Sequence, residues 1–130
     1  MRAAARSERG QAMVELALVL PVVLLLLLGI AQFGLIFSAQ LTLQSAVREG
    51  ARVGAVGADD IAINDAVTAA AATLDPAKLA LTISPDAAGR VQGAKLKVAV
   101  TYQLPVIVPV IAEIVGPQLN LAATSTMRVE

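Results

Sequence analysis

The sequence predicts an α+β chain: a long N-terminal transmembrane helix continuing as an amphipathic helix, a second short helix, and a small antiparallel sheet of about three strands. Three observations carry this. From Ala12 to Val47 the only charged residue is Glu15. Beyond Ala39, polar and apolar residues each recur every four positions, which is helical spacing. After Pro76 the period changes to two, the signature of strands with one buried face.

Composition excludes several function classes. The chain has 130 residues, of which 57% are hydrophobic and 15% charged, with a mean hydropathy of +0.74. Average globular usage is roughly 45–50% apolar and about 25% charged, so this chain is too apolar for an ordinary soluble domain. Its length suits one small domain with an appendage. Ten basic residues balance ten acidic ones, which argues against a nucleic-acid partner, since that needs a clustered basic face. There is no cysteine and no histidine. A disulfide framework and a thiolate zinc site are thereby excluded, and the commonest metal ligand and general base are missing. No phosphate-binding loop, dinucleotide fingerprint or nucleophile elbow occurs. Asp59, Asp60 and Asp65 lack the spacing of a calcium loop, and the first two read as the start of a helix. The expectation is therefore no catalytic residue, no metal, no cofactor and no small-molecule substrate.

Residues 1–10 form a basic leader, with Arg2, Arg6 and Arg9 against Glu8. Residues 11–39 form the transmembrane helix. Between Leu16 and Ala39 the only polar side chains are Gln32 and Ser38, and at about 1.5 Å per residue the stretch reaches about 36 Å. A bilayer core of about 30 Å needs about 20 such residues. Pro21 and Gly29 are tolerated in such a helix. A cleaved secretory signal fits less well, because the apolar run is too long, Glu15 stands at its start and no A-x-A site follows. The leader arginines, weighed against Arg48 and Arg52, place the N-terminus in the cytoplasm and the C-terminal part outside.

Residues 40–57 extend the same helix as an amphipathic segment. Gln40, Gln44, Arg48 and Arg52 make a polar ridge; Leu43, Val47, Ala51 and Ala55 make an apolar one. Glu49 and Arg52 are spaced to pair. Gly50 and Gly54 form a GxxxG pattern outside the span, which points to close helix packing against a strand or neighbouring helix rather than to a membrane dimer. Gly54 and Gly57, followed by Asp59 and Asp60, end this helix and cap another.

Residues 58–130 form a small extracytoplasmic α+β domain. A helix is read over 59–75, with Ile63, Val67, Ala70 and Leu74 as its stripe and Pro76 after its end. Three strands follow. Leu79, Leu81 and Ile83 share one face of the first. Leu96, Val98, Val100 and Tyr102 share one face of the second, with Lys95 and Lys97 on its solvated side. Leu119, Leu121, Ala123, Ser125, Met127 and Val129 share one face of the third. The apolar connector 104–117, with Glu113 as its only charge, reads as a short helix packed on the sheet or as an interaction loop.

One motif rises above this background. In Arg9-Gly10-Gln11-Ala12-Met13-Val14-Glu15 a glycine is followed five residues later by glutamate and then by an apolar helix. This resembles the type IV prepilin processing signal, in which a membrane-embedded prepilin peptidase cuts after the glycine. A glutamate at the membrane edge is tolerable, whereas deeper it costs up to roughly 2.5–3.5 kcal/mol, so it seeks a cation such as a neighbouring subunit's new amine.

The wider stretch RGQAMVELALVLPVVLLLLLGIAQFG with LTLQSAVREGARVGA is similar to the TadE-like family, the pseudopilins of tight-adherence (Tad/Flp) pili. The resemblance is strongest over residues 9–56, with the ending LNLAATSTMRVE similar to the family's last strand. It implies a pilin-like fold and a minor pilin or assembly component of the pilus. Its implied partners are membrane lipid, a prepilin peptidase and other pilin or pseudopilin subunits. By position, Gly10 precedes the cut, Gln11 becomes the first mature residue in place of the methylated phenylalanine of other type IV pilins, and Glu15 serves subunit association. The alternative is an unprocessed single-pass anchored domain that binds an envelope partner.

Overall fold

The computed structural model describes residues 2–130; Met1 lies outside the described residues, as do the side chains of residues 2–7 and 9, and with them those of the leader arginines Arg2, Arg6 and Arg9. The first element, α1 (Arg2–Ala55), is one α-helix of 54 residues, about 80 Å long. It runs through Pro21, whose missing N–H leaves the Ala17 carbonyl without its helical donor. Every side chain from Gln11 to Leu28 is exposed. The second half is different. Ala39, Leu43, Ala46, Val47, Ala51 and Ala55 are buried, on the three-and-four spacing that puts them on one face. The expected apolar ridge is this face.

Helix α1 ends where backbone chemistry ends it. Gly57 takes φ +90°, a left-handed conformation that suits glycine, and its N–H donates to Gly54 O at 3.1 Å. The Glu130 N–H donates to Ala55 O at 2.9 Å, so the chain's last residue satisfies one of the helix's terminal carbonyls. Asp59 then caps α2 (Asp60–Ala70), its carboxylate accepting from the Ala62 N–H at 2.8 Å.

This second helix is shorter than its expected 59–75, and its buried stripe is Ile63, Val67 and Ala71, with Ala70 exposed. Asp75 precedes Pro76 and is extended, as a residue before proline prefers. The helix therefore closes early, with the Leu74 N–H bonded to Ala71 O at 2.8 Å. Asp75 instead caps a single 3₁₀ turn, Pro76–Lys78.

The sheet has three antiparallel strands in the order β1 (Leu79–Ser84), β2 (Lys95–Pro105), β3 (Gln118–Arg128). Leu81 pairs with Val100, and Val100 with Ala123. Burial alternates along all three strands with the expected faces inward. Helix α1 lies across that apolar face beside α2, and Leu43, Val47, Ile63, Val67, Leu96, Val98 and Val100 make the centre of a single core.

Between β1 and β2, Arg90 ties the turn to the start of α2. Its guanidinium donates to Pro85 O and Ala58 O, each at 3.3 Å, and pairs with Asp60. Its side chain is almost wholly buried. The connector after β2 contains α3 (Pro109–Val115), a short helix with no buried residue.

Candidate functional site

The residues singled out in the sequence fall at two places far apart on α1. At the first, Gly10 is exposed and helical, with nothing near a Cβ built on it. One residue on, Gln11 Nε2 donates to Glu15 Oε1 at 3.2 Å, across one helical turn. Gln11 and Glu15 thus share one exposed face at the start of the apolar stretch.

The second place is inside the domain. A Cβ at Gly50 would overlap Val67 Cγ2 and lie 3.4 Å from Val98 Cγ1. One at Gly54 would overlap Leu96 Cδ2 and come within 2.8 Å of Ile63 Cδ1. These two glycines let α2 and β2 close on α1 together. They belong to the core and do not join Gly10 and Glu15.

The span between is a bare apolar rod. Among the described residues one helix is long and apolar enough to cross a membrane, within Gly10–Ala55, and no residue of its most apolar window is buried. Domain contact begins at Gln32, a polar residue only 2% exposed. Its Oε1 accepts from the Ile107 N–H at 2.8 Å and its Nε2 reaches Pro105 O at 3.5 Å. One side-chain amide thereby fastens the apolar rod to the far end of β2. Spacing along the sequence could not reveal this bond, because its partners are backbone atoms 73 and 75 residues away.

Above Gln32 the polar ridge meets the free edge of β3. Gln40 Nε2 donates to Ala122 O at 2.9 Å, covering an edge carbonyl that would otherwise invite another strand. Gln44 and Arg48 continue the ridge beside an open polar groove of about 450 Å³ floored by Ala122–Thr126. Further along, Arg52 grips Glu49 with two bonds, at 2.6 and 3.0 Å. That hydrogen bond holds the Glu49 carboxyl below its ordinary value of 4.5, and the Arg52 guanidinium is correspondingly raised. Arg52 also stands in the last turn of α1, where a cation complements the helix dipole. Among the described residues no group of three or more Asp and Glu side chains comes together as a cation would require.

Comparison with curated proteins and with solved structures gives no match. Comparison with family models gives one: TadE, described as TadE-like protein, over residues 10–52. That stretch begins at the glycine before the bare rod and ends at the arginine of the Glu49–Arg52 pair. The segment of this chain from Gly10 to Arg52, which supplies the span and most of the ridge packed on the sheet, is TadE-like.

Proposed function

We propose that this chain is a pseudopilin, a minor pilin or assembly component of a Tad pilus, inserted in the cell membrane through α1. The observation that carries the reading is a coincidence of boundaries. The TadE-like match starts at residue 10, the run whose only charge is Glu15 starts two residues later at Ala12, and Glu15 stands five residues beyond the glycine. In this reading the N-terminus is cytoplasmic and the sheet domain lies outside. A prepilin peptidase hydrolyses the Gly10–Gln11 bond, and the new Gln11 amine and Glu15 serve association with other pilin or pseudopilin subunits. The role is structural, with lipid, peptidase and pilus subunits as partners.

One observation favours the second reading, an unprocessed anchored domain that binds an envelope partner. Helix α1 continues through Gly10 toward Arg2, whereas a peptidase needs extended backbone at the cut, so processing requires the helix to unwind around Gly10. Expression beside a prepilin peptidase separates the two. Gly10→Leu blocks shortening if Gly10 is the processing residue, leaving the full-length precursor in the membrane. Glu15→Ala leaves cleavage largely intact and weakens crosslinking to pilin-type subunits, because it removes a charge partner whose strength grows with desolvation. If Gly10→Leu is shortened like the wild type, the pseudopilin reading loses its support.

A further inference from the structure

The connector between β2 and β3 has an exposed apolar surface that the core does not use. Ile107 is 47% exposed, Val110 51%, Ile114 80% and Val115 49%. Glu113 is the only charge in residues 104–117. An apolar patch of this kind marks a partner or a membrane, and three features of the fold decide between them.

The first is depth. Past Glu15, which stands at the membrane edge, a hydrocarbon core of about 30 Å takes about 20 helical residues from Leu16. The domain end of the span therefore falls near Leu35, within one turn of Gln32. The second is attachment. Gln32 is bonded to Pro105 O and to the Ile107 N–H, so the connector is held at the depth where hydrocarbon gives way to headgroups. Leu35 of α1 and Ile107 line one hollow there, which makes the connector's apolar surface continuous with that of the span. The third is backbone economy. Helix α3 satisfies its own polar groups, with the Ala112 N–H on Val108 O and the Gly116 N–H on Ala112 O, both at 2.9 Å. A segment entering the interface must do so.

We infer that residues 106–116 form a second membrane contact, with α3 lying in the lipid–water interface beside α1 and Ile107, Val110 and Ile114 turned into the acyl boundary. The inference rests on membrane insertion of α1. With no lysine or arginine in the segment, the contact is driven by apolar burial and does not select anionic lipid. Two contacts hold the domain at a fixed tilt on the bilayer, where a single helix would leave it free to swing.

The chain contains no tryptophan, so one introduced residue reports alone. The full chain carrying Ile114→Trp is reconstituted in phosphatidylcholine vesicles, beside Leu24→Trp in the rod and Thr126→Trp on the exposed side of β3. Ile114→Trp is expected to emit toward the blue. It is quenched several-fold more than Thr126→Trp by lipids spin-labelled near the headgroup, and adding phosphatidylglycerol changes neither result. Iodide quenching equal to that of Thr126→Trp overturns the inference. So does blue emission that follows the protein-to-lipid ratio without lipid quenching, which would place a second copy of the chain on the patch. Loss of quenching at Leu24→Trp by lipids spin-labelled deep in the acyl chain would remove the insertion reading and this inference with it; quenching there, without headgroup-label quenching at Ile114→Trp, removes the inference alone.

Discussion

Gly34 and Gly54 lie on the same helix under opposite constraints. A Cβ at Gly34 meets open space, while one at Gly54 overlaps Leu96 and crowds Ile63. Gly54→Leu is therefore expected to destabilise the domain by about 1–3 kcal/mol, the usual cost of overpacking. Gly34→Leu should stay within about 0.5 kcal/mol. Denaturant unfolding of the full chain in detergent compares the two, and equal effects would mean that Gly54 is not a packing glycine. Gln32→Leu tests the clamp on β2 in the same way. It strands the part-buried Ile107 N–H, which should cost about 1 kcal/mol, the low end for an unsatisfied donor. Arg90→Ala removes the guanidinium shared by Pro85 O, Ala58 O and Asp60. Since Asp60 is half-exposed, most of an expected loss of about 1–2 kcal/mol comes from the two carbonyls. Tryptic cleavage after Lys95 and Lys97, at the start of β2, should accelerate in step.

At the scale of elements, α1 is two helices in one. Among the described residues of its first half, every side chain from Gln11 to Leu28 is exposed. Its second half uses a face of alanine, leucine, valine and glycine to carry the sheet. The Glu49–Arg52 pair belongs to this second half and makes a pH prediction. Glu49's carboxyl is lowered in the folded chain, so its contribution is present above the ordinary carboxylate value and is lost as pH falls through the folded one. Glu49→Gln should therefore differ from wild type slightly at neutral pH and not at all in strong acid. Because the pair is exposed, salt should erase the difference. A gap that widens in acid would contradict the assignment.

The same scale shows what patterning can and cannot carry. Period-four spacing located the face of Leu43, Val47, Ala51 and Ala55, and period-two spacing located the inward residues of each strand, because burial on one face is written into local order. The end of α2 was less legible. Alanine suits a helix at residues 69–72, and only the constraint of Pro76 on Asp75, met by a tight turn at Ala71, shortens it. The Gln32 clamp and the buried Arg90 were not legible at all. Each depends on backbone carbonyls brought from elsewhere in the chain, and a carbonyl carries no sequence signal.

For the whole molecule, the question is where the membrane ends and the domain begins. Buried Ala39 and clamped Gln32 place the functional edge of the domain several residues inside the apolar stretch. A fragment of residues 32–130 should therefore unfold at a higher temperature than one of residues 40–130, which loses Ala39, the partly buried Ile36 and the amide bonds to the connector. Calorimetry or circular dichroism in mild detergent compares them. Equal midpoints would mean that the sheet leans on residues 40–55 alone. Orientation is checked by fusing reporters to the C-terminus: one that works only outside the cytoplasm should be active, and activity of a cytoplasmic reporter would reverse the topology.

The central claim is that α1 enters the membrane as a precursor and is trimmed at Gly10. N-terminal sequencing of the wild-type chain, extracted from membranes of cells that contain a prepilin peptidase, tests it most directly. The account predicts a first residue of Gln11, followed by Ala12, Met13, Val14 and Glu15. A chain that still begins Met1-Arg2-Ala3, in cells that trim a known prepilin, would contradict it.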